Sequence, residues 1–197
     1  MKRITGMFAA LLLTSSVSFA EKVSYTLDPA HSEVGFSVKH LVIATVKGRF
    51  TKFEGTFNFD EAKKELSDVD VKIDATSINT AEPKRDEHLN SPDFFDTKTH
   101  SSITFKSDKV TGKGKPTKVS GTLTMRGVSK PITLDVDYKG TVKDAWGNDK
   151  VVFTATGKLN RKDFGVSWNK SLDKGGVAVG DEVTVIIDGQ AQKTAKK

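Results

Sequence analysis

The sequence predicts an all-β fold of eight antiparallel strands closed into a barrel. Three observations predict it: apolar and polar residues alternate at period two along most of the chain, the phase of that alternation flips once inside a long run, and glycines recur on the apolar face. Val34, Phe36, Val38 and His40 share one face, opposite Glu33, Ser37 and Lys39. The next run begins with Val46, Gly48 and Phe50, then switches phase to Phe53, Gly55, Phe57 and Phe59. A flip inside one strand requires an extra residue, so a bulge or sharp bend is expected at Thr51-Lys52, where a sheet would turn a barrel corner.

The alternation resumes at Val69, Val71, Ile73 and Ala75, then at Ile103 and Phe105, and at Val119, Gly121, Leu123 and Met125. It continues through Ile132, Leu134, Val136 and Tyr138, through Val151, Phe153, Ala155, Gly157 and Leu159, and ends at Val183, Val185 and Ile187. Segments such as Gly112-Lys113-Gly114-Lys115-Pro116 and Trp146-Gly147-Asn148-Asp149 supply the turns. One stretch reads as a short helix, Glu82 to Asn90, with Pro83 near its start and Leu89 on its apolar side. It lies in the first of two long connections, Thr76–Ser101 and Asn160–Gly180, which carry Phe94 and Phe95, and Phe164 and Trp168. Those aromatics serve either as lids over a barrel mouth or as a plug that completes the core.

A two-sheet sandwich would satisfy the same alternation. Long strands, the bend and the inward glycines Gly48, Gly55, Gly121 and Gly157 favour the barrel, because glycine on a core face leaves space. An eight-stranded interior is either packed solid or just wide enough for one slender ligand.

The chain has 197 residues, 28% of them charged and none cysteine, which fits one globular domain and excludes disulfides, thiol catalysis and cysteine-held metals. Residues 1–20 read as a cleaved secretory leader: Lys2 and Arg3, an apolar run from Met7 to Val17, then the small-x-small site Ser18-Phe19-Ala20. The apolar run is too short to span a bilayer. A single domain over 21–192 and a basic, disordered tail over 193–197 follow, outside the cytoplasm. The net charge of +6 sits largely at the ends, since Lys2, Arg3, Lys193, Lys196 and Lys197 contribute five of it. The body is near neutral, so no basic face for nucleic acid is expected.

In order along the chain stand Asp28-Pro29-Ala30-His31-Ser32, Val34-Gly35-Phe36-Ser37-Val38-Lys39-His40-Leu41, Gly48-Arg49-Phe50 and Phe53-Glu54-Gly55. They are followed by Ser77-Ile78-Asn79-Thr80, the run from Arg85 to Asp96, Phe105-Lys106-Ser107, the run from Gly121 to Val128, and Asn160-Arg161-Lys162-Asp163-Phe164-Gly165. Together these segments resemble the YceI-like family of polyisoprenoid-binding proteins, which are secreted or periplasmic. The match runs from about Tyr25 to Ile187 and departs at His100-Ser101-Ser102-Ile103, where an aromatic-proline step is expected. The resemblance implies an extended lipocalin-like barrel in the periplasm, with the chain of an isoprenoid such as a polyprenyl phosphate or a quinone tail in an apolar pore.

The expected wall is Val34, Phe36, Val38, Phe50, Phe57, Val71, Ile73, Phe105, Leu123, Leu134, Val136, Phe153, Val185 and Ile187. For a head group at the mouth, the candidates are Ser77, Asn79, Thr80, Arg85, Asp86 and His88, beside the aromatics Phe94, Phe95, Phe164 and Trp168. Arg85 would meet a phosphate bidentately or pair with Asp86 or Asp93. No cofactor is expected. Four histidines, His31, His40, His88 and His100, lack the spacing of a helical zinc site. Asp28-His31-Ser32 imitates a catalytic triad but opens a strand, where Asp and Ser form turns.

Two other functions compete with a non-enzymatic carrier. One is a metal-assisted enzyme acting on an amphiphile through His31, His88 or His100; the other is an interaction module with a solid core. An open barrel seam would also allow two protomers to pair.

Overall fold

The computed structural model describes residues 22–112, 114–173 and 175–194. Its strands are β1 (Val23–Leu27), β2 (Glu33–His40), β3 (Ala44–Phe50), β4 (Phe53–Asp60), β5 (Glu65–Asp74), β6 (Ile78–Asn79), β7 (Ser102–Thr111), β8 (Lys118–Met125), β9 (Val128–Lys143), β10 (Asp149–Asn160) and β11 (Val179–Lys193). Among the described residues one α-helix, α1 (Pro83–Asn90), follows β6, with the Glu82 side chain accepting the Lys84 amide at its N-terminus. All strand pairs are antiparallel, and the β1–β11 pairing closes the sheet into a barrel.

The strands occupy eight wall positions. β11 is long enough to hold two strands on one edge: β2 along Val179–Asp188 and β1 along Ala191–Lys193. β3 and β4 are the matching halves of one bent strand, β3 against β2 and β4 against β1. The bend lies at Thr51-Lys52, so Phe50 and Phe53, three residues apart, belong to one core. Backbone groups freed there are taken up by Ser77, whose carbonyl accepts the Thr51 amide at 3.1 Å and whose hydroxyl accepts the Lys52 amide at 3.0 Å.

Two expectations change. β1 is an additional segment: Val23, Tyr25 and Leu27 alternate, but a five-residue strand next to the expected leader is too short to stand out. The tail boundary also moves, because Lys193 pairs with Tyr25 as the last residue of β11. The expected leader over residues 1–20 and the end of the expected tail, 195–197, lie outside the described residues.

One end of the barrel is packed. Tyr25, with no exposure, stacks on Phe57 at 5.7 Å and meets Phe59 edge-on, and its hydroxyl bonds to Glu61. Outward positions carry cross-strand ion pairs such as Lys158–Glu182 and Lys106–Asp70. The outer wall is therefore water-facing and the inner wall apolar, the reverse of a transmembrane barrel. Among the described residues, no helix is long and apolar enough to cross a membrane.

The turn joining β1 to β2 is held by Asp28. Its carboxylate takes the Lys150 ammonium at 3.0 Å, the His31 ring at 2.9 Å and the Ala30 amide. The Lys150 hydrogen bond holds the Asp28 carboxyl below its usual range. A depressed carboxylate stabilises the fold above its unfolded pKa of about 4 and loses that contribution as pH falls through the lower folded value. In urea titrations from neutral pH downward, Lys150→Met should therefore lose less stability on acidification than the parent. Parallel curves would show that the pair contributes nothing.

Candidate functional site

Inside the barrel lies a cavity of about 240 Å³. A single buried water needs on the order of 10–15 Å³ by the same measure, so the space is far larger than a packing defect. All fourteen expected wall residues line it, from Val34, Phe36 and Val38 on β2 to Val185 and Ile187 on β11. Several of them, including Phe36, Val38, Val71, Val136, Phe153, Val185 and Ile187, point inward yet are only half-buried, because they face the lumen and not a packed partner. Leu27, Leu66 and Leu89 join the wall from segments where the alternation did not place them.

The glycines act differently from the expectation. A methyl group at Gly48 would lie 2.4 Å from the Phe36 ring, and one at Gly189 would lie 2.3 Å from the Phe153 ring. Phe36 pairs directly with Gly48 and Phe153 with Gly189. The same relation holds for Leu134 over Gly157 and Leu27 over Gly55. Glycine therefore leaves no void of its own. It lets a large side chain lie flat along the wall, which keeps that bulk out of the lumen.

Of the four loop aromatics, Phe94 and Phe95 line the cavity, and Phe95 meets Phe50 edge-on at 5.9 Å. Phe164, 1% exposed, packs in the core behind them, and Trp168 supports Phe94 at 5.3 Å. Arg126 pins the two long connections together, donating to the carbonyls of Phe94 at 2.7 Å and Gly165 at 2.9 Å.

The polar candidates for the mouth are bonded within the loop and at the bend, three of them to one another. Thr80 donates to Asp86 through its amide at 2.8 Å and its hydroxyl at 2.6 Å. Arg85 donates to the Thr80 hydroxyl at 2.7 Å and carbonyl at 2.8 Å, so neither expected carboxylate is its partner. Asn79 accepts the Ala81 amide, and Ser77 serves the bend. His88 bonds Asp93 at 2.9 Å and sits 5.0 Å from both Phe94 and Trp168. None of these six lines the cavity.

The charged side chain that does line it is Arg161, which the sequence reading missed. It is 4% exposed and donates to the carbonyls of Gly180, Val166, Trp168 and Val179, with Asp181 at 3.4 Å. Burial pushes its pKa down, and Asp181 acts against that shift. The signal was present: the inward phase of Val151, Phe153, Ala155, Gly157 and Leu159 continues to 161.

Ser32 does not complete a triad. Its hydroxyl donates to the Gln190 carbonyl at 3.1 Å and accepts the Gln190 amide at 3.0 Å, while His31 bonds Asp28 alone. Among the described residues, no three His, Asp or Glu side chains gather in a way that could hold a metal ion.

A closed eight-stranded antiparallel barrel, polar outside and hollow and apolar within, defines the lipocalin-like class of folds. Within that class the chain belongs to the YceI-like family, whose domain matches residues 25–191. A UPF0312 protein of Vibrio parahaemolyticus is 39% identical over 165 residues, covering 82% of this chain and 86% of its own. Protein YceI of Escherichia coli O157:H7 is 34% identical over 193 residues, covering 98% and 99%. The crystal structure of a Campylobacter jejuni YceI protein, 36% identical, superposes with a TM-score of 0.69 over 87% of this chain and 98% of its own. A polyisoprenoid binding domain from Saccharophagus degradans shares the fold at 17% identity and a TM-score of 0.62, over 87% of this chain and 99% of its own.

Proposed function

We propose that this protein binds an isoprenoid lipid, a polyprenyl phosphate or an isoprenoid quinone, and serves in the periplasm as its carrier, store or scavenger. One observation carries the reading: an apolar lumen of about 240 Å³ whose bulky side chains lie flat over cross-strand glycines. A hydrocarbon tail requires such a wall and no hydrogen-bonding code. Each buried methylene contributes roughly 0.8 kcal/mol, so a tail of several prenyl units gains on the order of 10 kcal/mol before ordering costs are subtracted. The family resemblance supports the ligand class, and the leader expected from the sequence supports the compartment. Thr80, Arg85 and Asp86 are bonded to one another and none of the loop polar candidates lines the lumen, so discrimination falls mainly to the tail.

The test is native mass spectrometry and organic extraction of the protein purified without detergent. We expect a co-purifying prenyl lipid, and uptake of geranylgeraniol by emptied protein. Val136→Asp, which places a carboxylate in the lumen, should weaken that uptake at least a hundredfold, because an unpaired charge there loses its hydration. A mass that stays bare with added geranylgeraniol rejects the reading.

A further inference from the structure

The hairpin between β2 and β3 ends in Leu41, Val42 and Ile43, which are 46%, 58% and 84% exposed. Leu41 and Val42 both have positive φ, 50° and 68°. Hairpin tips of that geometry favour Asn and Gly, and a β-branched residue there is strained. The chain thus holds apolar side chains in water at positions where polar ones would be more stable. Such strain is a feature of functional segments.

The tip is not isolated. The Leu41 amide donates to the Ala178 carbonyl at 2.9 Å, and a methyl group at Gly176 would lie 2.8 Å from Val42. Val177, 41% exposed, therefore belongs to the same apolar knuckle. His40 pairs with Val179, and both Val38 and Val179 line the lumen, so the knuckle begins where the cavity wall ends. Along Ala44–Gly48, the far edge of β3 has no strand partner among the described residues, so the wall is interrupted beside it.

Charge favours one kind of surface. Exposed Lys39 and Lys47 stand on the two strands behind the tip, with no Asp or Glu between residues 34 and 53, while Arg49 pairs with Glu33 at the far end of the hairpin. At the opposite end of the barrel, the exposed Trp146 occupies a turn whose Asp144 and Asp149 are paired with Lys150 and Lys143, so that end offers no excess of cations. An apolar tip backed by exposed lysines suits a bilayer containing anionic phospholipid.

We propose that the Leu41–Val42–Ile43 tip, with Val177, docks the barrel on an anionic phospholipid bilayer beside the opening through which a prenyl chain passes. The proposal rests on the lipid-binding reading above, and its test separates the two. Vesicles of equal parts phosphatidylethanolamine and phosphatidylglycerol are sedimented with the parent protein and with V42N/I43S. Asn tolerates the backbone of Val42, so the variant should melt no lower than the parent. We expect the parent to bind, more weakly as salt rises, and the variant to partition at least tenfold less. Transfer of geranylgeraniol from vesicles should slow in parallel, while uptake of the same alcohol added from ethanol should be unchanged.

Equal partitioning of parent and variant would overturn the proposal. So would a parent that ignores vesicles but forms a dimer that V42N/I43S dissociates, since the tip would then cover a second copy. Failure of uptake from ethanol in both proteins would instead refute the lumen reading and leave vesicle docking standing on its own.

Discussion

Arg161→Met should lower stability by about 4 kcal/mol, the scale for removing one partner from a buried charged network. For a barrel of this size that corresponds to a melting temperature lower by on the order of 10 °C. The four carbonyls of Gly180, Val166, Trp168 and Val179 converge on one guanidinium, and methionine would remove its donors from all of them, leaving Val179 the Asn169 amide alone. Arg161→Lys should fall almost as far, because a single ammonium lacks the planar fork that reaches carbonyls on both sides. The loss should be local at first. Amides of the Val166–Val179 connection should exchange faster than those of β7 and β8, because Arg161 is what ties that connection to the end of β10. Unchanged melting in both variants would mean that the carbonyls find water, and that Arg161 is incidental to the aromatic cover.

Local signals made much of this molecule legible in its sequence. Period-two alternation fixed the wall positions, the phase flip at Thr51-Lys52 located the corner, and Pro83 marked the start of the helix. What escaped depends on contacts between distant residues. Phe153 and Gly189 are 36 positions apart, and no periodicity reports that one lies over the other. Thr80, Arg85 and Asp86 looked like a head-group site because polar residues gathered in a long loop; only the fold shows that their donors and acceptors meet one another. Arg161 escapes for the opposite reason: it is a charged residue on the inward phase, just past the last apolar position of its run. Its carbonyl partners come from a segment with no regular pattern.

The glycine–ring pairs lead to the second large effect. Gly48→Val and Gly189→Val should each leave a folded barrel, since valine suits a strand and neither glycine has a positive φ. The added side chain must nevertheless displace the facing ring, which has no space except the lumen. Phe36 pairs with Val185 and Phe153 with Gly189, so the two obstructions stand four residues apart along β11, roughly 13 Å in depth. Phe36 is nearer the hairpin end, and Phe153 is nearer the packed base, where it meets Phe57 at 5.9 Å. Gly48→Val should therefore reduce uptake of both geraniol and geranylgeraniol, whereas Gly189→Val should spare the short alcohol. Loss of one five-carbon unit of contact, at roughly 0.8 kcal/mol per methylene, corresponds to on the order of a hundredfold or more in affinity for the long one. Fluorescence-displacement titrations with the two alcohols measure both effects. The reverse pattern would put the entrance at the Tyr25 end, and an unchanged profile in both variants would mean that the chain does not lie along these rings.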